Sequence, residues 1–321
     1  MYDNNMELTN CMNEWAESPV IDMEEFFKRS HSIIEMMKRF EENTLLSMQP
    51  AYFRGQPKSG DPLRSTLERK AGKMRVHNYY SNILEILPVL ESHYGRALTQ
   101  NGWDKNSTLH DYFNNEVYSL AELPWKLPLI EYLVFLRHHG YPSPLLDWSY
   151  SPYIALYFAM RNSKERVENT DEMPAVYCFI KSSSGISGGD MMISQVFHLD
   201  PIIKTTTRHY NQQAVYTICA KPEYKSENVD LSTKSDDSGD QRKVFWFESH
   251  EDVLNRAKAE RFHGQDMVIK FIIKDVRKKV LESLNRMNIN DYTLFNTTDS
   301  LVYWLAESKF VDYNLSTRPT N

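Results

Sequence analysis

The chain has little cysteine. Its 321 residues hold three, Cys11, Cys178 and Cys219, far apart and with no Cys-x-x-Cys pair. That excludes a disulfide framework and a cysteine-based zinc or redox motif, and it fits a reducing compartment. A long hydrophobic run is also lacking: no stretch approaches the roughly 18 uninterrupted apolar residues of a membrane span. The opening MYDNNMELTN has neither the basic start nor the apolar run of a signal peptide. Positive charge is not in excess, since the formal net charge is −6, so the molecule as a whole is no general polyanion binder. No internal repeat and no clear interdomain linker interrupt it. The expectation is a soluble, cytoplasmic chain with no membrane partner.

What is present is a core: 41% of the residues are hydrophobic and 12% aromatic, enough for one large domain or two modest ones. Helical periodicity starts after Asp22, a good N-cap, with Phe26, Phe27, Ile33, Ile34, Met37 and Phe40 at three- and four-residue steps, and runs to about Leu46. Further helices are predicted over 76–94, 127–139, 151–162 and 275–287, with a last amphipathic one near the end. AYFRGQ (51–56), PAVYCFIK (174–181), QQAVYTICA (212–220), KVFWF and DMVIKFIIK read as strands. The predicted class is α+β, a small antiparallel or mixed sheet core surrounded by helices. Residues 1–20 are expected to be flexible and 21–315 to form a single domain. A charged, serine-rich insertion near 221–242 is expected to be exposed and mobile.

Four short motifs carry the chemistry. In YFRGQ, an arginine at a strand end followed by glycine can present its guanidinium fork to a phosphate or carboxylate; pairing with a core carboxylate is the structural alternative. Seven Lys/Arg fall between Arg54 and Arg75 against Asp61 and Glu68, which suits either phosphate contact or a solvated helix face. In RHHGYPSPLLDWSYSPYIALYFA (137–159), Asp147 and Trp148 close an apolar run. Ser149, Ser151 and Pro152 follow, and the pattern also suits a helix cap. The fourth motif is TRHYNQQAVYT (207–217). His138 and His139 are adjacent, so on a helix they point about 100° apart and cannot serve one ion from the same turn. With no third ligand at zinc spacing, no metal is expected. Clustered carboxylates for Mg²⁺ nuclease chemistry are not evident, nor is the aromatic and basic alternation of a single-strand stacking platform.

Together these motifs resemble the FRG domain family, named for a Phe-Arg-Gly motif. The long 137–159 block matches most of its second hallmark. Arg208, Gln212, Gln213, Ala214, Tyr216 and Thr217 match its third, and the C-terminal ESLNRMNINDYTLFNTTDSLVYWLA is similar to its closing helix, turn and helix. The likeness spans roughly residues 20–310. The sequence departs from the pattern at Arg137, where the family has Gln, at Ser143-Pro144, where it has Thr-Arg, and at Ala214, where it has Gly. The family's arginine is thus lost at Pro144, and Arg137 or Arg64 is a candidate stand-in. The resemblance implies a bacterial or phage-related source and an anti-phage defence or toxin-like setting.

The order of motifs also resembles the arginine-clade ADP-ribosyltransferases, which implies NAD as a substrate. On that reading Asp147, Ser149 and Gln212 are the catalytic candidates, and Arg54, His138, Trp148, Ser151 and Arg208 the nucleotide-binding ones. Glutamine brings no charge to an oxocarbenium-like transition state, so Asp147 would have to supply it. Otherwise Asp147 is a buried partner of Arg54 or Arg208. The competing reading is a non-catalytic sensor or interaction module for a nucleotide or nucleic acid. A protein target or regulator fits either reading.

Overall fold

Among the described residues eight strands form one sheet. They are β1 (Val20–Ile21), β2 (Tyr52–Gln56), β3 (Leu146–Ser149), β4 (Ala175–Ile180), β5 (Gln195–Leu199), β6 (Ala214–Lys225), β7 (Arg242–Phe247) and β8 (Met267–Ile273). The path is β1-β8-β4-β2-β3-β6-β5, with β7 also paired to β6. Only β1 and β8 run parallel; every other pair is antiparallel. The computed structural model describes residues 11, 14–15, 19–44, 50–99, 129–180, 195–199, 206–225, 242–260 and 267–310.

Ten helices accompany the sheet among the described residues: α1 (Met23–Thr44), α2 (Thr66–Ala71), α3 (Val76–Tyr94), α4 (Ile130–His138), α5 (Pro152–Arg161), α6 (Thr207–Asn211), α7 (His250–Glu260), α8 (Arg277–Arg286), α9 (Asp291–Phe295) and α10 (Thr298–Phe310). The fold is therefore α+β, as the sequence implied. Asp22 caps α1 by accepting from the Glu25 amide at 2.9 Å. Gly140, past the end of α4, takes φ +84°, the left-handed turn that stops a helix.

Some boundaries differ from the sequence reading. The charged stretch placed at 221–242 begins later, because residues 221–225 continue β6 and pair with β7. The remainder of that insertion and most of the N-terminal 20 residues lie outside the described residues. β1, β5, α2, α6 and α7 carry too little periodicity of their own to be read from the sequence, and the strand placed at 212–220 starts at Ala214, after Gln212 ends α6.

Side chains alternate across the sheet. On one face, Phe53, Val176, Cys178, Ile269 and Phe271 pack beneath α1, α5 and α8, and Tyr216 and Ile218 beneath α3 and α4. On the other, Tyr52, Leu146, Trp148, Tyr177, Phe179 and Val215 pack against Leu63 and against Val253 and Leu254 of α7. Gly55 is fixed by the first face: a Cβ there would sit 2.0 Å from the Ala155 carbonyl oxygen and 2.4 Å from the Ala159 amide nitrogen. The glycine lets the small-residue side of α5 rest directly on β2. No described helix is long and apolar enough to cross a membrane.

Candidate functional site

The site begins where the sheet splits. β2 and β3 share a single pair, Phe53 opposite Ser149. Continuing that register would set Gly55 opposite Asp147, but the strands diverge first. The backbone carbonyl of Asp147 instead accepts from Nη1 of Arg54 at 2.7 Å. The guanidinium thus occupies the gap that a longer ladder would have closed, which is why an arginine one residue before a close-packed glycine matters here.

Beside the gap lies a cleft of about 200 Å³, lined among others by Arg54, Arg137, His138, Asp147, Arg208 and Tyr216. Phe53, Phe158 and Pro57 give it an apolar side. Asp147 keeps 38% of its side chain exposed and is held by Arg137 from α4. The pair is bidentate: Nε donates to Oδ1 at 2.9 Å and Nη2 to Oδ2 at 2.7 Å. Arg208 of α6 donates from Nη1 to the His138 carbonyl at 3.0 Å. Among the described residues neither Arg54 nor Arg208 has a carboxylate within ion-pair reach, and the Nε of each is buried without a hydrogen-bond partner. Three guanidiniums therefore face one carboxylate, and that carboxylate is taken by one of them.

Burial would raise the Asp147 pKa, but Arg137 and then Arg54 outweigh it and hold it below its ordinary value. Burial pushes Arg54 down to about 10, against the pull of Asp147, so it stays charged at neutral pH. Burial likewise lowers Arg208. His138 is pushed down to about 4, chiefly by burial, and is neutral at pH 7. Its Nε2 lies 2.9 Å from the Tyr216 hydroxyl, which is also 3.1 Å from Nδ1 of His209. Burial raises the Tyr216 pKa, so the phenol keeps its proton.

Arg54, His138, Asp147, Trp148, Ser149, Arg208 and Gln212 all border the cleft. Their hydrogen bonds sort them differently from the sequence reading. The Trp148 indole is turned to the opposite face of the sheet, where Nε1 donates to Thr217 at 2.8 Å. Ser149 donates to the Gln212 carbonyl at 2.9 Å and accepts from the Ser151 amide at 3.0 Å. Ser151 caps α5 by accepting from the Ile154 amide and is not part of the lining. The Gln212 amide nitrogen donates to the Leu294 carbonyl at 3.2 Å. These contacts tie the elbow together.

Asp147 pairs with Arg137 and not, through its carboxylate, with Arg54 or Arg208. Arg64 is engaged with Glu68 at 3.2 Å, so of the two candidate stand-ins it is Arg137 that reaches the cleft. The His139 ring bonds back to a helix-end carbonyl, that of Phe135 at 2.8 Å.

Sequence reasoning missed Phe53, Phe158 and Asn162 in the lining. Phe53 was legible, since it precedes Arg54 in the quoted motif. Among the described residues no group of three or more His, Cys, Asp or Glu is placed to hold a metal ion.

The structure thus defines an α+β protein with an arginine-lined cleft where the sheet splits. Residues 49–168 match the family model of the FRG domain, so the chain carries an FRG domain. Arg54, Arg137, His138, Asp147, Trp148 and Ser149 fall within the matched residues; Arg208, Gln212 and Tyr216 complete the cleft from beyond them. No curated protein and no solved structure matches the chain.

Proposed function

We propose that the cleft binds the phosphates of a nucleotide, with NAD and its ADP-ribose portion as the ligand class, in the bacterial defence or toxin-like setting that the FRG resemblance implies. The observation that carries this is the charge imbalance at the sheet split. Arg54 and Arg208 are without ion-pair partners among the described residues, and a guanidinium recognises phosphate through its donor fork. The aromatic edge from Phe53, Phe158 and Tyr216 suits a ribose or base. A volume of about 200 Å³ is below the roughly 300–1,000 Å³ of a drug-sized pocket. The cleft therefore seats a diphosphate with its ribose and leaves the rest of a dinucleotide over the rim.

Binding without turnover is the primary reading, because the one cleft carboxylate is already neutralised by Arg137. Calorimetric titration with ADP-ribose, NAD and adenosine tests it. ADP-ribose and NAD are expected to bind and adenosine not to, with Arg54→Lys weakening ADP-ribose about tenfold or more through loss of the fork. Adenosine binding as tightly as ADP-ribose would overturn the reading.

One observation favours turnover: Asp147 stays ionised and open to the cleft. In that case a water oxygen, its proton taken by Asp147, bonds to the ribose carbon as the N-glycosidic bond breaks. Nicotinamide leaves with the electron pair, and a proton is released. Fluorescence from 1,N6-etheno-NAD measures this directly, and Asp147→Asn should abolish any signal while sparing binding.

A further inference from the structure

We infer that Phe295, in the C-terminal α9 turn, is a positioning residue for the cleft, holding Arg208 in the plane in which it meets the ligand phosphate. This rests on the reading of the cleft as a phosphate site and deepens it. The guanidinium carbon of Arg208 lies 4.5 Å from the centroid of the Phe295 ring, and that of Arg161 lies 4.6 Å from it. The two arginines differ in what else they hold. Arg161 is neutralised by Asp291 at 2.8 Å. Among the described residues Arg208 holds the His138 carbonyl and the ring and has no carboxylate within ion-pair reach, so its charge is left for the cleft.

The turn itself is rigid enough to set an orientation. Asn290 and Thr293 form a reciprocal capping box at its start, and Asn296 ends it at φ +50°. Three side chains from the cleft side fasten it: Arg161 to Asp291, Gln212 to the Leu294 carbonyl, and Arg208 to the Phe295 ring. A planar cation on an aromatic face keeps its charge while losing rotational freedom. Arg208 is thus ordered before ligand arrives, by a residue that lies beyond the segment matched to the FRG domain.

The test is a double-mutant cycle on ADP-ribose affinity with Phe295→Leu and Arg208→Lys, each also checked by thermal melting. Leucine keeps most of the apolar volume and removes the ring face. Phe295→Leu is expected to weaken ADP-ribose about three- to tenfold, Phe295→Tyr to restore wild-type affinity, and Arg208→Lys/Phe295→Leu to bind no worse than Arg208→Lys alone. Independent, multiplicative losses in the double variant, or unchanged affinity in Phe295→Leu, would overturn the inference while leaving the cleft reading standing. Failure of the wild type to bind ADP-ribose overturns both. Should Phe295→Leu unfold, Phe295→Met serves in its place, with the same expected loss and the same overturning outcomes.

Discussion

Asp147 and Trp148 are neighbours in the chain and opposites in the fold. The strand pleat sends Asp147 to the face covered by α4 and α5 and Trp148 to the face covered by α7. Both faces bury polar groups at this point. Behind Trp148 the polar groups form a short chain: its indole donates to Thr217, whose hydroxyl lies 2.9 Å from Nε2 of His250, and Nδ1 of that neutral ring is left buried without a hydrogen-bond partner. Around them Phe179, Val215 and Leu254 leave a dry core. On the Asp147 side a cleft opens, and among the described residues two of its arginines, Arg54 and Arg208, have no carboxylate within ion-pair reach. Buried polarity alone therefore does not mark a ligand site. Charge left over beside open volume is the observation that supports the proposed one.

The largest expected effect is on the dry face. Trp148→Ala removes a fully packed ring and strands Thr217 and His250, and should cost about 3–5 kcal/mol in chemical unfolding. Trp148→Phe, which keeps an aromatic ring but loses the indole N–H and part of the packed volume, should leave ADP-ribose affinity within about twofold. A loss below about 1 kcal/mol for Trp148→Ala, or a collapse of binding in Trp148→Phe, would dissolve the distinction between the faces.

Acid separates the faces less sharply but reads both. His250 is pushed down to about 3 and His138 to about 4, in each case chiefly by burial. Below pH 6.5 the unfolded imidazoles take up protons that the folded ones refuse. Stability is therefore fully present above 6.5 and falls as pH drops toward the folded values. Between pH 6.5 and 5 each histidine should contribute a loss of about 2 kcal/mol. Unfolding measured at both pH values in His138→Gln and His250→Gln should show each variant losing its own share of that slope. Saturating ADP-ribose should alter the share of His138, which borders the cleft, and leave that of His250 unchanged.

Much of this was readable in the sequence, and the failures have physical causes. Asp22, Ser151-Pro152 and Gly140 act locally, so their roles as cap, first turn and stop could be named from neighbours alone. Arg54 and Asp147 stood out because a strand end followed by glycine, and a carboxylate after an apolar pair, are locally unusual. Trp148 borders the cleft, and the period-two alternation of LDWS is the local signal that its indole turns to the opposite face from Asp147. Arg137 was noticed only as a departure from a pattern. That it reaches Asp147 depends on how α4 lies across β3, which no local signal encodes. Phe295 was further out of reach, since its partner is 87 positions away in the chain and the pairing exists only once α9 docks on α6.

The smallest effect, and the one that bears most on function, is expected for Arg137→Gln. The Arg137–Asp147 pair is well formed, but 38% of the Asp147 side chain is exposed, so water screens much of what an enclosed pair would lose. Glutamine also retains one donor for the carboxylate. The expected cost is about 1 kcal/mol, well under that of Trp148→Ala. The Asp147 pKa should move up toward its ordinary value, because Arg137 is the largest influence holding it down. In the wild type, the stability that this group contributes is present above its unfolded pKa near 3.8 and lost as pH falls through the lower folded value. In the variant that acid-labile part should shrink. The cleft would then hold two guanidiniums and a carboxylate held by a single neutral donor. ADP-ribose should bind more weakly, by about tenfold. Any NAD turnover should rise relative to binding if Asp147 is the group that acts, and should stay absent if the cleft only binds. A stability loss above about 4 kcal/mol would mean that the Asp147 pair is as enclosed as the Trp148 network, and that the two faces do not differ in kind.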